Sequence, residues 1–379
     1  MLGSLLLAGA VEADETGELR ERVETLEQRL EATVDMLESA AGEEATEYGH
    51  GGRGKTTIGG YGELHYRNLD NQNSGGDDIK EVDLHRVILF VGHEFDERIR
   101  FFSELEVEHA QVDGDGGEVA MEQAYLEFDL NDRLSSRAGL LLVPVGIINE
   151  THEPPTFYGV ERNPVENKII PSTWREGGVS LSGSWGQGLS YELMIHSGLE
   201  ASSGSNYQIR KGRQSVREAP ADDLAYTGRI KWVGMAGLEV AAVLQYQTDI
   251  TQGTDPAAGS ATLLETHVVW KRGPFGLRAL YAGWNLDGSG PEALGADEQR
   301  GWYVEPAYKI SSKVGLFARY NTWDNAAGGA GDSEYTQLDA GVNYWPHPDV
   351  VLKADYQNQD APDGQDEFDG FNLGVGYQF

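Results

Sequence analysis

The sequence predicts an all-β fold: a sixteen-stranded antiparallel transmembrane β-barrel preceded by a short helical coiled-coil segment. Three observations lead there. The closing segment Phe371 to Phe379 alternates between large apolar residues (Phe371, Leu373, Val375, Tyr377, Phe379) and small or polar ones (Asn372, Gly374, Gly376, Gln378). A strand reads this way when one face meets lipid and the other meets water. The 379 residues carry a formal net charge of -33, and no apolar run approaches the ~20 residues that a membrane helix needs. Any passage through a bilayer must therefore use a closed barrel, which leaves no backbone group unpaired in hydrocarbon. Finally, segments of about ten residues are joined alternately by tight turns and long polar loops, the layout of the two ends of a membrane barrel. A soluble β-sandwich does not segregate its loops so regularly.

Residues 1–13 (Met-Leu-Gly-Ser-Leu-Leu-Leu-Ala-Gly-Ala at the start) read as the apolar core and small-residue cleavage region of a signal peptide without its basic flank. In residues 14–42 the period changes: Leu19, Val23, Leu26, Leu30, Val34 and Leu37 recur at spacings of three and four, an a/d seam. It predicts a self-associating helix, or a single amphipathic helix packed on the barrel. Four heptads or fewer are marginal alone. Residues 43–55, polar and glycine-rich, read as a linker.

Residues 56–379 form the predicted barrel, with strands at 56–67, 81–93, 97–109, 118–130, 134–143, 176–185, 187–196, 223–233, 236–248, 261–271, 275–286, 299–310, 313–323, 334–345, 349–357 and 369–379. The 17 tyrosines, 11 phenylalanines and 8 tryptophans suit aromatic girdles at the two membrane interfaces. The absence of cysteine fits an oxidising envelope. Nucleic acid is excluded as a partner, because phosphate binding needs a basic surface.

Residues 144–175 break the rhythm. They hold Ile147, Ile148, Phe157, Tyr158, Val160, Ile169, Ile170 and Trp174, too apolar for a solvated loop, and five prolines that stiffen the chain. The expectation is a loop folded inward that narrows the lumen and contributes Glu150, Glu153, Glu161, Glu166, Arg162, Lys168 and Arg175. If the apolar partner of each strand faces lipid, then Arg100, Arg137, Arg229, Lys231, Arg278, Arg319, Glu104 and Glu127 face inward, with Lys309, Lys353, Glu106, Asp129, Glu192, Glu239, Glu265, Glu305, Asp339 and Asp355. An acidic loop opposed to a basic wall would set a transverse field across the opening.

Enzyme chemistry has little to stand on. His152 and Glu153 lack the His-Glu-x-x-His spacing of a helical metal site and run into prolines, so His152 reads as an incidental loop histidine. His85, His196 and His267 are wall positions beside Ser and Glu. The glycine-rich run 326–331 lacks the Lys-Ser or Lys-Thr of a phosphate cradle. The sequence calls for no cofactor and no metal.

Four short motifs in order carry a family resemblance: Leu84, His85 and Arg86; Met121 to Phe128; Gly139 to Gly146; and Arg175 to Leu181. This stretch resembles the phosphate-selective porin O and P family. The resemblance implies a trimeric sixteen-stranded outer-membrane porin with a periplasmic N-terminal extension, a constriction loop after the fifth strand, and passive uptake of small hydrophilic solutes. The C-terminal Phe379 is similar to the ending that the barrel-assembly machinery reads in outer-membrane proteins. Where the family's phosphate-selective members carry a basic residue before the Pro-x-Gly, this chain has Leu142, so phosphate selectivity is not carried over. The reading from another class is a barrel that anchors the envelope while its helix binds a periplasmic or cell-wall partner.

Overall fold

The structure is a computed structural model that describes residues 54–110 and 117–379. The expected signal peptide and helical segment lie outside the described residues, as does the linker up to residue 53. Sixteen antiparallel strands close into one barrel: β1 (Lys55–Asn71), β2 (Ile79–Glu94), β3 (Ile99–Glu108), β4 (Val119–Asn131), β5 (Leu134–Leu142), β6 (Arg175–Gly186), β7 (Leu189–His196), β8 (Ala225–Met235), β9 (Leu238–Gln247), β10 (Ala261–Arg272), β11 (Phe275–Leu286), β12 (Glu298–Lys309), β13 (Val314–Asp324), β14 (Tyr335–His347), β15 (Val350–Asp360) and β16 (Phe368–Gln378). Every strand pairs with its sequence neighbours, and β1 pairs with β16 from Tyr61↔Gln378 to Asn71↔Phe368. The seam is completed by Gly60 and Phe379, whose backbones exchange two hydrogen bonds. No edge is left to meet lipid.

All sixteen expected strands are found, with ends shifted by a few residues. The largest extension is β1, which runs to Asn71 rather than residue 67. Pairing between Arg67 and Glu81, and between Lys80 and Asp70 at 3.5 Å, carries the β1–β2 hairpin past the apolar band.

The outer face is apolar. Leu193, Ile230, Leu244, Leu264, Leu338, Leu352 and Leu373 form its band, Tyr226, Tyr246, Trp302, Tyr320, Tyr356 and Phe371 lie toward the long-loop end, and Trp185, Phe275, Tyr308, Tyr344 and Phe379 lie toward the tight-turn end; all are exposed. These are the lipid face and its two girdles. Leu244 sits opposite Leu264 in register, and the two are 57% and 48% exposed. Leu244→Arg is expected to destabilise the barrel by about 2–4 kcal/mol, the cost of a guanidinium near the bilayer midplane. Urea titration of protein folded into vesicles measures it, and a neutral result would mean that this face does not meet lipid.

The inner face departs from simple alternation. In β10, β11 and β12 the inward positions Ala261, Leu263, Leu280, Ala282, Trp284, Leu286 and Tyr303 are apolar and buried. They join a core inside the barrel with residues of two loops, 143–174 and 197–224. Leu199, Ala201, Tyr207 and Ile209 of the second loop are buried there. That segment was expected to be an ordinary polar loop; its apolar residues instead carry it inward.

Candidate functional site in the barrel lumen

Loop 143–174 leaves β5 and returns to β6 with Leu142 opposite Arg175 in register. Arg175 therefore belongs to the wall rather than to the loop. Val143, Val145, Ile147, Ile148, Phe157, Val160, Val165, Ile169, Ile170 and Trp174 are buried. Each such side chain contributes roughly 1.5–3 kcal/mol by leaving water. Trp174 lies 6.0 Å from Trp284 between ring centres, and the Trp284 indole donates to the Ile169 carbonyl at 3.1 Å.

Glu166, in a single helical turn (α1, Val165–Lys168), organises the loop. One carboxylate oxygen accepts from the amides of Ile147 and Ile148, both at 2.6 Å. The other accepts from the Asn163 side chain and the Tyr303 hydroxyl, both at 2.9 Å. Gly146 makes this reach possible: its φ is +80°, and a Cβ there would lie 2.5 Å from the carboxylate. Glu166 thus serves the loop's own backbone, which corrects its expected place among carboxylates facing the channel.

The tip of the loop crosses to the opposite wall. Pro154 seats against Gly376 of β16, where a Cβ would come within 2.3 Å, and Val160 sits over Gly374. The Val160 amide donates to Asp355 at 2.6 Å, Asn343 to the Phe157 carbonyl at 3.0 Å, Arg278 to the Thr156 carbonyl at 2.7 Å, and Arg319 to the Tyr158 carbonyl at 3.4 Å. The Lys353 ammonium lies 3.4 Å above the Phe157 ring centre.

The wall charges are mutually paired. Glu127 faces Arg100 and Arg137 in register, Glu192 faces Arg229, Glu305 faces Arg278, and Asp339 faces Arg319. Arg100 reaches Glu127 at 2.6 Å and Asp129 at 2.7 Å, and Arg137 reaches Glu127 at 2.5 Å. Arg229 pairs with Glu192 at 2.8 Å and with Glu150 of the loop. Arg319 binds Glu305 and Asp339 at 3.2 and 3.1 Å, while Arg278–Glu305 and Lys231–Glu239 are looser, at 3.9 and 3.8 Å. Such close pairs cancel one another's field beyond a few ångströms. The expected contrast of acidic loop and basic wall is therefore absent along these strands.

Charge of both signs gathers elsewhere. A cavity of about 470 Å³ on the long-loop side is bordered by Arg162, Lys168, Arg175, Arg210 and Arg213, with Glu106, Glu108, Glu118 and Glu122 also in its lining. Arg210 and Arg213 come from the second inward loop and went unnoticed in the sequence. The basic run 210–217 was the available signal in so acidic a chain. Their partners are carbonyls: Arg210 donates to Asn167 and Ser172, both at 2.9 Å, and Arg213 to Thr173 at 3.1 Å. Burial, then Arg213 and Arg162, push the Arg210 guanidinium down to about 10. Arg162 donates to the Thr173 hydroxyl at 2.9 Å, and Glu161 accepts from the His65 ring at 3.0 Å.

On the tight-turn side of the loop, Glu104, Arg137, Glu150, His152, Glu153 and Glu192 border a second cavity of about 360 Å³. His152 lies 3.4 Å from Glu104 and 3.6 Å from Glu122. Burial opposes its charge, but these carboxylates outweigh burial and push the imidazole up to about 9.

The model of the family described as phosphate-selective porin O and P matches residues 57–379. An uncharacterized protein of Aquifex aeolicus strain VF5 is 34% identical over 350 residues, covering 82% of this chain and 77% of that protein. Among solved structures, the outer-membrane channel DcaP of Acinetobacter baumannii superposes with a TM-score of 0.59 at 16% identity, covering 89% of this chain and 100% of its own. The trimer form of OmpT, an outer-membrane protein of Vibrio cholerae, gives 0.55 at 13% identity, with 86% of this chain and 99% of its own covered. These likenesses show the fold. With a closed sixteen-stranded barrel and a family match over nearly all of it, the protein is an outer-membrane channel rather than an enzyme, and the chain belongs to the phosphate-selective porin O and P family.

Proposed function

We propose that the protein is a general porin, a water-filled path for passive diffusion of small hydrophilic solutes and ions, without marked phosphate selectivity. The observation that carries this reading is the in-register pairing of Arg100, Arg137, Arg229, Arg278 and Arg319 with carboxylates. Among the described residues it leaves no continuous basic track along these strands. Glu150, Glu153, Glu161, Arg162, Lys168 and Arg175 border the narrowed passage, where charges of both signs favour polar solutes over apolar ones. Acidic outer loops bias the mouth toward cations.

The reversal potential of purified protein in a planar bilayer under a salt gradient tests the reading. Discrete conductance steps, a small cation-directed potential and no block by added phosphate are expected. Anion preference with phosphate block would instead give control to Arg162, Arg175, Arg210 and Arg213. Absence of steps would favour the anchoring role.

The same reading includes a homotrimer set in outer-membrane lipid, with residues 14–42 as a periplasmic helical tie and Phe379 as the end presented to the barrel-assembly machinery. The trimer form of OmpT supports the assembly. Cross-linking in detergent is expected to trap three subunits, and fewer when residues 14–42 are removed. Undiminished trimers in the shortened protein would remove the helix from this role.

A further inference from the structure

We propose that Glu104, Glu122 and His152 form a binding site for one divalent transition-metal ion of the zinc class, which fastens the inward loop to the wall. Glu104 comes from β3, Glu122 from β4 and His152 from the loop, and they are 1%, 0% and 3% exposed. One ligand atom from each lies within 4.8 Å of the others. The His152 Nε2 distances of 3.4 and 3.6 Å exceed those of good charge-assisted hydrogen bonds, ~2.7–2.9 Å. They match the ligand-to-ligand edge, roughly 3.3–3.6 Å, of a tetrahedral ion with bonds of about 2.0–2.2 Å.

The surroundings already orient the donors. His152 Nδ1 lies 3.0 Å from the Asn149 carbonyl and donates to it, so Nε2 is the ring nitrogen turned toward the carboxylates, where a bound ion would take the place of its proton. Gln123 holds Glu104 Oε2 at 2.5 Å and Arg175 approaches Glu122 Oε1 at 3.4 Å, so the remaining oxygen of each carboxylate is the one nearer His152. Glu122 Oε2 is buried without a hydrogen-bond partner among the described residues. So is the hydroxyl of Tyr61, whose ring meets the His152 ring edge-on at 5.9 Å. Of the other nearby cations, Arg86 is engaged by Glu63 at 2.9 Å and Glu106 at 3.1 Å, and Arg162 donates to the Thr173 hydroxyl at 2.9 Å. Two carboxylates and an imidazole suit zinc, cobalt or iron(II) and cancel a divalent charge. Glu104 and His152 border the cavity on one side of the loop and Glu122 the cavity on the other, so an ion has access.

Two further groups on the wall, His65, His85 and Glu161, and Asp83, His85 and His109, also converge. Their ring nitrogens are already engaged: His65 by Glu161 and Glu63, His85 by Asp83 and by Arg86 at 2.7 Å. They are also more exposed.

The test uses untagged full-length protein in detergent, stripped with a chelator and titrated with cobalt(II). One equivalent per chain with tetrahedral visible absorption is expected, retained in H85Q and weakened at least tenfold in E122Q and H152Q, with heat-modifiable gel mobility confirming each barrel. In the wild type, zinc is expected to slow proteolysis of residues 143–174 and chelator to reverse this, a readout independent of any variant. No saturable cobalt binding, undiminished binding in both E122Q and H152Q, loss in H85Q alone, or proteolysis indifferent to zinc would each overturn the site. None of these outcomes bears on the channel reading, which rests on conductance.

Discussion

Replacing residues 144–174 with a short Gly-Ser turn is expected to raise single-channel conductance several-fold while the barrel stays folded. The ends make this a mild operation on the wall, since Leu142 and Arg175 are register partners and a tight turn can join them. The sixteen-strand hydrogen-bond circuit does not use the loop. What disappears is an obstruction that runs from the β5–β6 hairpin to Gly374 and Gly376 on β16. Conductance follows the free cross-section of the narrowest part. The operation also bares Leu263, Leu280 and Trp284 to water, which lowers stability without opening the circuit. Planar-bilayer recording of protein verified by heat-modifiable gel mobility makes the measurement. Unchanged conductance would show that ions take a path this loop does not narrow.

Glu166→Ala is expected to undock the loop while sparing the barrel. Two backbone amides, the Asn163 amide and the Tyr303 hydroxyl all donate to this one buried carboxylate. Removing it strands four buried donors, and hydrogen bonds to a charged acceptor contribute ~1.5–3 kcal/mol each, so a loss of about 3–5 kcal/mol follows after partial relaxation. Hydrogen exchange at the amides of Ile147 and Ile148 should quicken by roughly two to four orders of magnitude, at 1.36 kcal/mol per tenfold. Exchange in β7 to β15 should not change. Glu166→Gln, which keeps an acceptor for part of the set, should fall between. Equal exchange in all three proteins would refute the role assigned to Glu166.

The strands were legible because lipid on one side and water on the other force a two-residue period that a sequence displays directly. The loop at 143–174 was legible because Ile147, Ile169 and Trp174 have no business in a solvated connection. The second inward loop was not, because Leu199, Tyr207 and Ile209 are scattered without period among serines and glycines. In β11 the inward Leu280 and Trp284 alternate with outward apolar residues, so the contrast that marks the two faces vanishes. The pairing of Arg100 and Arg137 on Glu127 depends on the register between three strands, which no single strand states. The meeting of His152 with Glu104 and Glu122 joins residues far apart in sequence, and local spacing had marked His152 as incidental.

Two of the small inward residues of β16 give the finishing of the wall and the filling of its interior a common cause. Gly374 and Gly376 receive Val160 and Pro154, and the same strand pairs with β1 to shut the circuit. Until β16 is in place, Pro154 and Val160 lack the two glycines they seat on, although β11 and β13 to β15 already hold the rest of the tip. A half-assembled molecule would hold its plug from one side only, and the event that seals the rim is the event that seats the last of it.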